Sequence, residues 1–481
     1  MSGKQSRSIR TNLKWSFLGS YGGQLIGFFI SIFLARLLSP EDFGLFGLSL
    51  ALINILSIFM SMGLTEALVQ NKNAVTETFN TVFFVNIFFG VVGSLLLIVF
   101  APSISHFYGN PEVILIIRLL AIIFFIDSLT VTQNAYLKKK MAFKKLTTRI
   151  LVAQFAGGFI ALIAALNDFG IYALIIQRIT INLMKAFLLW SVSDWKPKIQ
   201  FDFAQIKMLQ KYAIYTFSSQ AVGKLILETT TLAIAKFFNP IILGFYSRAN
   251  NFSKIIVSNS SNSLRVVFFS KLSAIQDDNK KFHSIFTKIF ELVLVASVLF
   301  SGLAFINAEI LILGLLGEKW EPTISIFKWL LIKGLTVPIN GIIITALLSK
   351  GLAKENFHYG NVRHVILLLS FVSLIFRDLE LFLIAYSAAQ ILITSFNLFL
   401  SKKFLNLNFT THFLPYLLNS LLSISVVLML DYFIVFKSIL LKSIVQSILF
   451  MGFVFVFQYS FNRNGFNQVY LLVKKPISKY L

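Results

Sequence analysis

The chain contains no cysteine, which excludes disulfides, thiol catalysis and thiolate metal sites without indicating a compartment. Charged residues are only 13% of its 481 residues, well below the ~25% usual in soluble domains. Acidic side chains are scarcest, 20 against 43 lysines and arginines. The five histidines (106, 283, 358, 364 and 412) form no pair at metal-binding spacing, and no glycine-rich phosphate loop follows a strand. Neither a metal nor a cofactor is expected, and catalysis has little to stand on. Transport would have to draw on an ion gradient, the membrane potential or the substrate's own gradient.

What the chain does have is apolar sequence, 57% of the total, with 53 phenylalanines. A membrane-spanning helix needs ~20 mostly apolar residues. Runs of that kind predict fourteen spans, at 15–38, 44–66, 80–101, 113–134, 149–166, 171–193, 212–237, 244–268, 286–306, 323–346, 362–376, 381–400, 413–435 and 439–460. The expected fold is an all-α polytopic membrane protein. The first run lacks an Ala-x-Ala cleavage pattern and reads as a retained span.

The net charge of +23 would suggest nucleic acid in a soluble protein, but the cations fall in alternate loops. One side collects Lys4, Arg7, Arg10 and Lys14, then Lys138, Lys139, Lys140, Lys144, Lys145 and Arg149, then Lys196, Lys198, Lys207 and Lys211, and so on to Lys479. The other side holds Lys319, Arg377 and Lys437, with Arg36 and Lys236 at span edges. The excess of basic residues in cytoplasmic loops places both termini in the cytoplasm, and anionic lipid headgroups account for the charge without nucleic acid.

Two segments 200 residues apart share a pattern: Ala35-Arg36-Leu37-Leu38-Ser39-Pro40-x-x-x-Gly44-x-Phe46 and Ala235-Lys236-Phe237-Phe238-Asn239-Pro240-x-x-x-Gly244-x-Tyr246. The alignment runs without a gap from about 16–65 against 216–265, pairing spans 1 and 2 with spans 7 and 8. A unit of six spans is even, so both copies enter the membrane in the same direction, as in transporters built from parallel repeats. The expected organisation is an N-terminal six-helix lobe over 1–193, a cytoplasmic linker over 194–211 lying on the membrane surface, a C-terminal six-helix lobe over 212–400, and two additional helices with a cytoplasmic tail over 401–481.

Polar residues recur on single helical faces inside several spans. Span 7 carries Thr216, Gln220, Lys224, Glu228 and Thr231; span 8 carries Ser247, Asn251, Lys254, Ser258, Ser261 and Arg265. Span 1 repeats the stripe in neutral form with Ser16, Ser20, Gln24 and Ser31, and span 2 adds Asn54, Ser61 and Thr65. A lysine or arginine at mid-bilayer costs at least ~2.5–3.5 kcal/mol, so such faces should meet protein or water. Lys224 and Glu228 stand one turn apart, which suits either an ion pair within the helix or a ligand or coupling role. Further charges within spans are Arg118 and Asp127, Arg178 and Lys185, Arg248, and Lys328 and Lys333. Arg265, Lys185 and Glu66 lie near span ends, where snorkelling to the headgroups explains them. Gly19, Gly23 and Gly27 form a small-residue run suited to close helix packing.

The opening Leu13-Lys14-Trp15-Ser16-Phe17, the Leu34-Ala35-Arg36-Leu37-Leu38-Ser39-Pro40-Glu41-Asp42-Phe43-Gly44 block and the Gln133–Lys145 segment resemble the polysaccharide-biosynthesis flippases of the multidrug/oligosaccharidyl-lipid/polysaccharide exporter superfamily. The resemblance implies alternating-access translocation of an undecaprenyl-diphosphate-linked oligosaccharide across a bacterial inner membrane, for O-antigen, capsule or exopolysaccharide synthesis, beside a polymerase and chain-length proteins. It also implies a cationic central cavity for the diphosphate. The matching candidates here are Lys224, Arg248 and Lys254, with Arg178, Lys328 and Lys333 around them, and Glu228 and Asp127 as coupling or ion-pair residues. The rival readings are cation-coupled efflux of drugs or other small molecules on the same fold, and a glycosyl polymerase using Glu309, Glu318 or Glu321 in the 307–322 loop.

Overall fold

A computed structural model describes residues 3–71, 73–255, 268–269, 271–405, 418, 422, 425–427, 429 and 438–461. Ser258, Ser261, Arg265 and most of predicted span 13 lie outside the described residues, as do the side chains of Ser16, Ser20 and Gln220. The chain divides into two compact units, residues 1–244 and 245–481. Among the described residues all regular structure is helical, and ten helices are long and apolar enough to cross a membrane. Three of the remaining predicted spans correspond to the first helix and the two helices flanking residue 239, and the fourth, 413–435, falls mostly outside the described residues. The all-α, roughly fourteen-span architecture therefore holds.

The first unit contains α1 (Gly3–Leu37), α2 (Pro40–Ser61), α3 (Leu64–Gln70), α4 (Thr76–Tyr108), α5 (Glu112–Lys139), α6 (Phe143–Leu166), α7 (Ile171–Val192) and α8 (Phe203–Phe237), and ends within α9 (Pro240–Ser253). The glycine run of α1 lies on α6: a methyl group at Gly19 would fall 2.7 Å from Thr147 Oγ1, and one at Gly23 would fall 2.9 Å from Ile150 Cγ2. Small residues let the two backbones approach, and Thr147 Oγ1 donates across the contact to the Trp15 carbonyl at 2.6 Å. Large side chains such as Phe88, Val99, Phe155 and Phe187 stay exposed, as a lipid-facing surface requires.

The repeated Ser/Asn-Pro-x-x-x-Gly motif starts α2 and α9 by the same chemistry. Ser39 caps α2, its Oγ accepting from Asp42 N at 3.2 Å while Ser39 N donates to Asp42 Oδ2 at 2.8 Å. Asn239 does the same for α9, Oδ1 accepting from Ile242 N at 2.8 Å. The proline after each cap sits where a missing N–H costs nothing. The glycines do more than begin a helix. A methyl at Gly44 would lie 1.8 Å from the Pro240 carbonyl oxygen, and one at Gly244 would lie 1.8 Å from the Pro40 carbonyl oxygen. The two motifs thus clasp each other reciprocally, each glycine admitting the other's proline carbonyl.

The segment before α8 differs from the expected surface linker. Helix α8 begins at Phe203, nine residues before the predicted start at 212, and the preceding residues are fastened to the start of α4. Asn80 Nδ2 donates to Gln200 Oε1 at 3.0 Å, Lys198 N to Asn80 Oδ1 at 3.2 Å, Asp202 N to Thr81 Oγ1 at 3.1 Å, and Thr78 Oγ1 to Gln205 Oε1 at 2.6 Å. Trp195 is buried against Phe79, Phe83 and Tyr136. The sequence cue of an aromatic, basic segment was compatible with a membrane surface, but the buried polar start of α4 supplies partners that lipid cannot.

The second unit continues α9 with α10 (Asn279–Ile306), α11 (Ala308–Leu316), α12 (Thr323–Ser349), α13 (Ala353–Leu369), α14 (Leu379–Leu405) and α15 (Ile439–Phe461). Its core centres on Phe282, Phe286 and Phe290, stacked one turn apart along α10 and packed with Ile342, Ile343 and Ala346 of α12. The weak span 11 is a helix that gives way to a 3-10 segment, Ser370–Phe376. Buried Arg363 of α13 is held by neutral amides: Nη1 donates to Asn397 Oδ1 at 2.9 Å and Nη2 to Asn356 O and Oδ1 at 2.8 Å. Asn397 Nδ2 then donates to Asn340 Oδ1 of α12 at 2.9 Å, joining three helices. The predicted 307–322 loop is largely helical, holding α11 and a 3-10 turn at Glu318–Trp320.

Because backbone carbonyls oppose Gly44 and Gly244, Gly44→Ala and Gly244→Ala should each lower thermal stability in detergent by about 1–3 kcal/mol. Gly223→Ala, with nothing within 4 Å, should be neutral or slightly stabilising. Differential scanning fluorimetry of the three variants checks this.

Candidate functional site

Helices α5, α6 and α7 bring four ionisable side chains to one cavity of about 340 Å³: Asp127, Arg149, Arg178 and Lys185. Ser57 and Ser61 of α2, Thr130 and Asn134 of α5, and Asn182 of α7 complete its polar wall, with Met60 and Val131 the apolar members. The spacing explains how each helix presents its share. Arg178, Asn182 and Lys185 follow one another by four and three residues, and Asp127, Thr130 and Asn134 by three and four, so each set occupies one helical face.

Several donors in this cavity meet no partner among the described residues. Arg149 Nε and Nη1, Arg178 Nε and Asn182 Nδ2 are buried without a hydrogen-bond partner among the described residues. A buried charged donor left unpaired is expensive, and a built site for an anion resolves that cost. Two guanidinium forks and an ammonium suit phosphate oxygens in particular, either as bidentate forks or as a point charge.

Ser57 joins this cavity to α8. Lys224 Nζ donates to Ser57 Oγ at 2.7 Å, and one turn away Asn54 Nδ2 donates to Glu228 Oε1 at 2.9 Å. The polar face of α8 therefore meets the polar face of α2, with Lys224 and Glu228 each engaging a residue of the neighbouring helix. An ion pair closed within α8 does not account for either contact.

Of the sequence candidates, Arg178 and Asp127 line the cavity, and Lys224 and Glu228 stand beside it through α2. Arg248, Lys254, Lys328 and Lys333 belong to the second unit. There Arg248 is buried in α9, whereas Lys254, just beyond it, is exposed. Lys328 lies 5.6 Å from the Phe305 ring centre, and Lys333 5.8 Å from that of Tyr386. Arg149 and Lys185 were not among the candidates, having been assigned to a loop cluster and to a snorkelling end. The neutral form of the stripe expected for the first copy applies to α1 and α2; α5, α6 and α7 bring the charge. The 4-and-3 spacing of Arg178, Asn182 and Lys185 was the available signal.

The Lys138–Arg149 cluster is also more than a solvated loop. Lys139 Nζ donates to the Leu68 carbonyl at 3.2 Å and the Asn71 carbonyl at 2.5 Å, closing the end of α3. Lys144 lies over the Trp15 ring at 5.5 Å. Lys145 donates to the Val192 carbonyl at 3.1 Å.

A family model described as "Polysaccharide biosynthesis protein" matches residues 33–325, more than half of the chain. The chain belongs to this polysaccharide biosynthesis family. The succinoglycan biosynthesis transport protein ExoT of Rhizobium meliloti (strain 1021) is 26% identical over 340 residues, 70% of this chain and 68% of that protein. The teichuronic acid biosynthesis protein TuaB of Bacillus subtilis (strain 168) is 27% identical over 63% of each chain. The lipopolysaccharide biosynthesis protein WzxC of Escherichia coli (strain K12) is 21% identical over 72% of this chain and 71% of that one. In fold, the chain resembles the lipid II flippase MurJ in an inward closed conformation, with TM-score 0.75 and 15% identity over 93% of this chain and 99% of that one. It also resembles an inward-facing multidrug resistance MATE family transporter of the MOP superfamily, with TM-score 0.61 and 14% identity over 80% and 94%. The resemblance drawn from the Leu-Ser-Pro-Glu-Asp-Phe-Gly block is borne out at the level of the family: this is a multi-pass membrane protein of a polysaccharide biosynthesis family, and its fold is that of solved transporters.

If the orphaned guanidinium donors form an anion site, Arg178→Gln and Arg149→Gln should each weaken binding of inorganic pyrophosphate by roughly 10–100-fold, the equivalent of ~1.5–3 kcal/mol for a charged hydrogen bond. Lys198→Gln, at an exposed position before α8, should leave it unchanged. Calorimetric titration of the purified protein measures all three.

Proposed function

We propose that the protein translocates a lipid-linked oligosaccharide, joined to undecaprenol through a diphosphate, from the cytoplasmic to the outer leaflet of a bacterial inner membrane. The carrying observation is the α5–α6–α7 cavity, where three cations and unpaired buried donors surround a space of about 340 Å³. Family membership supports a substrate from polysaccharide biosynthesis. The cavity reaches from the middle of α7, at Arg178 and Asn182, to the half of these helices nearest the Lys138–Lys145 segment, where Asn134, Arg149 and Lys185 lie and which the charge asymmetry of the loops assigns to the cytoplasm. A site there would receive a headgroup from the leaflet where it is assembled, while the lipid tail stays in the bilayer.

In this reading Arg149, Arg178 and Lys185 hold the diphosphate. Lys224, held at the cavity edge by Ser57, is a further contact, and Arg248, Lys254, Lys328 and Lys333 in the second unit are candidate substrate contacts on the strength of the family resemblance alone. Alternating access moves the load, driven by the membrane potential or a gradient, and a polymerase with chain-length proteins uses the exported units. Cation-coupled efflux on the same fold fits less well. Three cations against one carboxylate repel cationic drugs, although Asp127 and Glu228 would be its coupling residues.

In a strain lacking this gene, the wild-type protein should restore surface polysaccharide, whereas Arg149→Gln/Arg178→Gln, inserted at normal levels, should restore less than about a tenth, a loss of at least ~1.4 kcal/mol in transition-state terms. Full restoration by the double variant would remove the cavity from the mechanism.

A further inference from the structure

An anion site has no evident use for a carboxylate, yet Asp127 stands in the wall of this cavity with Arg149, Arg178 and Lys185. Asp127 supplies the only negative charge among the lining residues, and it interacts electrostatically with all three cations. The wall therefore carries a net charge of about +2 rather than +3, and Lys224 and Glu228 at the neighbouring α2–α8 contact cancel one another. In a site away from bulk water, mismatch between wall charge and ligand charge is costly in either direction.

The two diphosphates that a glycan carrier presents differ in charge. With lipid on one phosphate and sugar on the other, the group is a diester with two ionised oxygens, about −2. Once the sugar has been transferred away, the terminal phosphate is a monoester that ionises again near pH ~6, giving about −3 at neutral pH.

Resting on the reading above, we propose that Asp127 is a specificity-determining residue, which sets the cavity charge to accept the glycan-capped diphosphate diester and to disfavour the uncapped diphosphate monoester. The spent carrier is the product of a glycan-transfer reaction in the opposite leaflet. A wall at +2 releases it in favour of the loaded carrier, so the charge of Asp127 biases exchange toward export. Replacing the carboxylate by an amide of the same shape raises the wall to +3 and favours the monoester.

The test is competitive binding to the purified full-length protein at about pH 7, above the monoester ionisation near pH ~6. The probes are farnesyl diphosphate and the same lipid carrying one hexose on its terminal phosphate. The wild type should bind the capped ligand more tightly by about tenfold, one unit charge being worth at least ~1.4 kcal/mol at these separations. Asp127→Asn and Asp127→Ala should both shift the ratio toward the monoester by about tenfold, and Asp127→Glu should restore the diester preference. A wild type that prefers the monoester overturns the proposal without reference to any variant. So does an unchanged ratio in both neutral variants, while Arg149- and Arg178-dependent binding would still uphold the flippase reading. If the wild type binds neither probe, that reading fails and this one with it.

Discussion

The charged interior of the first unit answers to one constraint: a charge inside a bilayer must be met by protein or by ligand, because lipid offers nothing to it. Asp127, Arg149, Arg178 and Lys185 sit on three apolar helices that could not carry them toward lipid. The helices turn these faces toward one another and toward the polar face of α2, and a cavity of about 340 Å³ results. The same constraint shapes the α2–α8 contact, where Lys224 and Glu228 find Ser57 and Asn54. It also explains why Arg363 in the second unit is enclosed by Asn356 and Asn397.

The frame and the site obey different rules, and only the frame follows the internal repeat. Ser39 and Asn239 cap their helices equivalently, and Gly44 and Gly244 admit one another's proline carbonyls. These positions need particular backbone geometry, so either copy tolerates little change. Gly23 and Gly223, by contrast, are equivalent in sequence only: a methyl at the first would meet Ile150, while one at the second would meet no neighbouring atom of the described residues within 4 Å. The charged side chains of the site come from α5, α6 and α7, outside the stretch where the two copies align; only Ser57, Met60 and Ser61 of α2 come from within it. The repeat could point to the two-copy frame but not to these charges.

This difference accounts for what could be read in advance. Helix content, most span positions, the α1 packing run and the family block were visible because they depend on local composition and spacing. Arg149 and Lys185 were not, because depth was judged by distance from the end of an apolar run. In the structure α6 begins at Phe143, so Arg149 lies nearly two turns inside a helix rather than in the preceding loop. The contacts of Lys224 and Glu228 depend on residues 167 and 174 positions away, which no helical periodicity reveals. The burial of Trp195, within the linker expected at the membrane surface, depends on Phe79, Phe83 and Tyr136, which lie far from it in sequence.

The central claim is that the cationic cavity of α5, α6 and α7 carries the diphosphate of a lipid-linked glycan through the membrane. Leaflet translocation in proteoliposomes tests it most directly, using a fluorescent short-chain prenyl diphosphate that bears one hexose. The account predicts that the wild-type protein moves this lipid faster than protein-free vesicles, and that Arg149→Gln/Arg178→Gln, folded and reconstituted in equal amount, falls to the protein-free rate. Translocation by the double variant at the wild-type rate would contradict it.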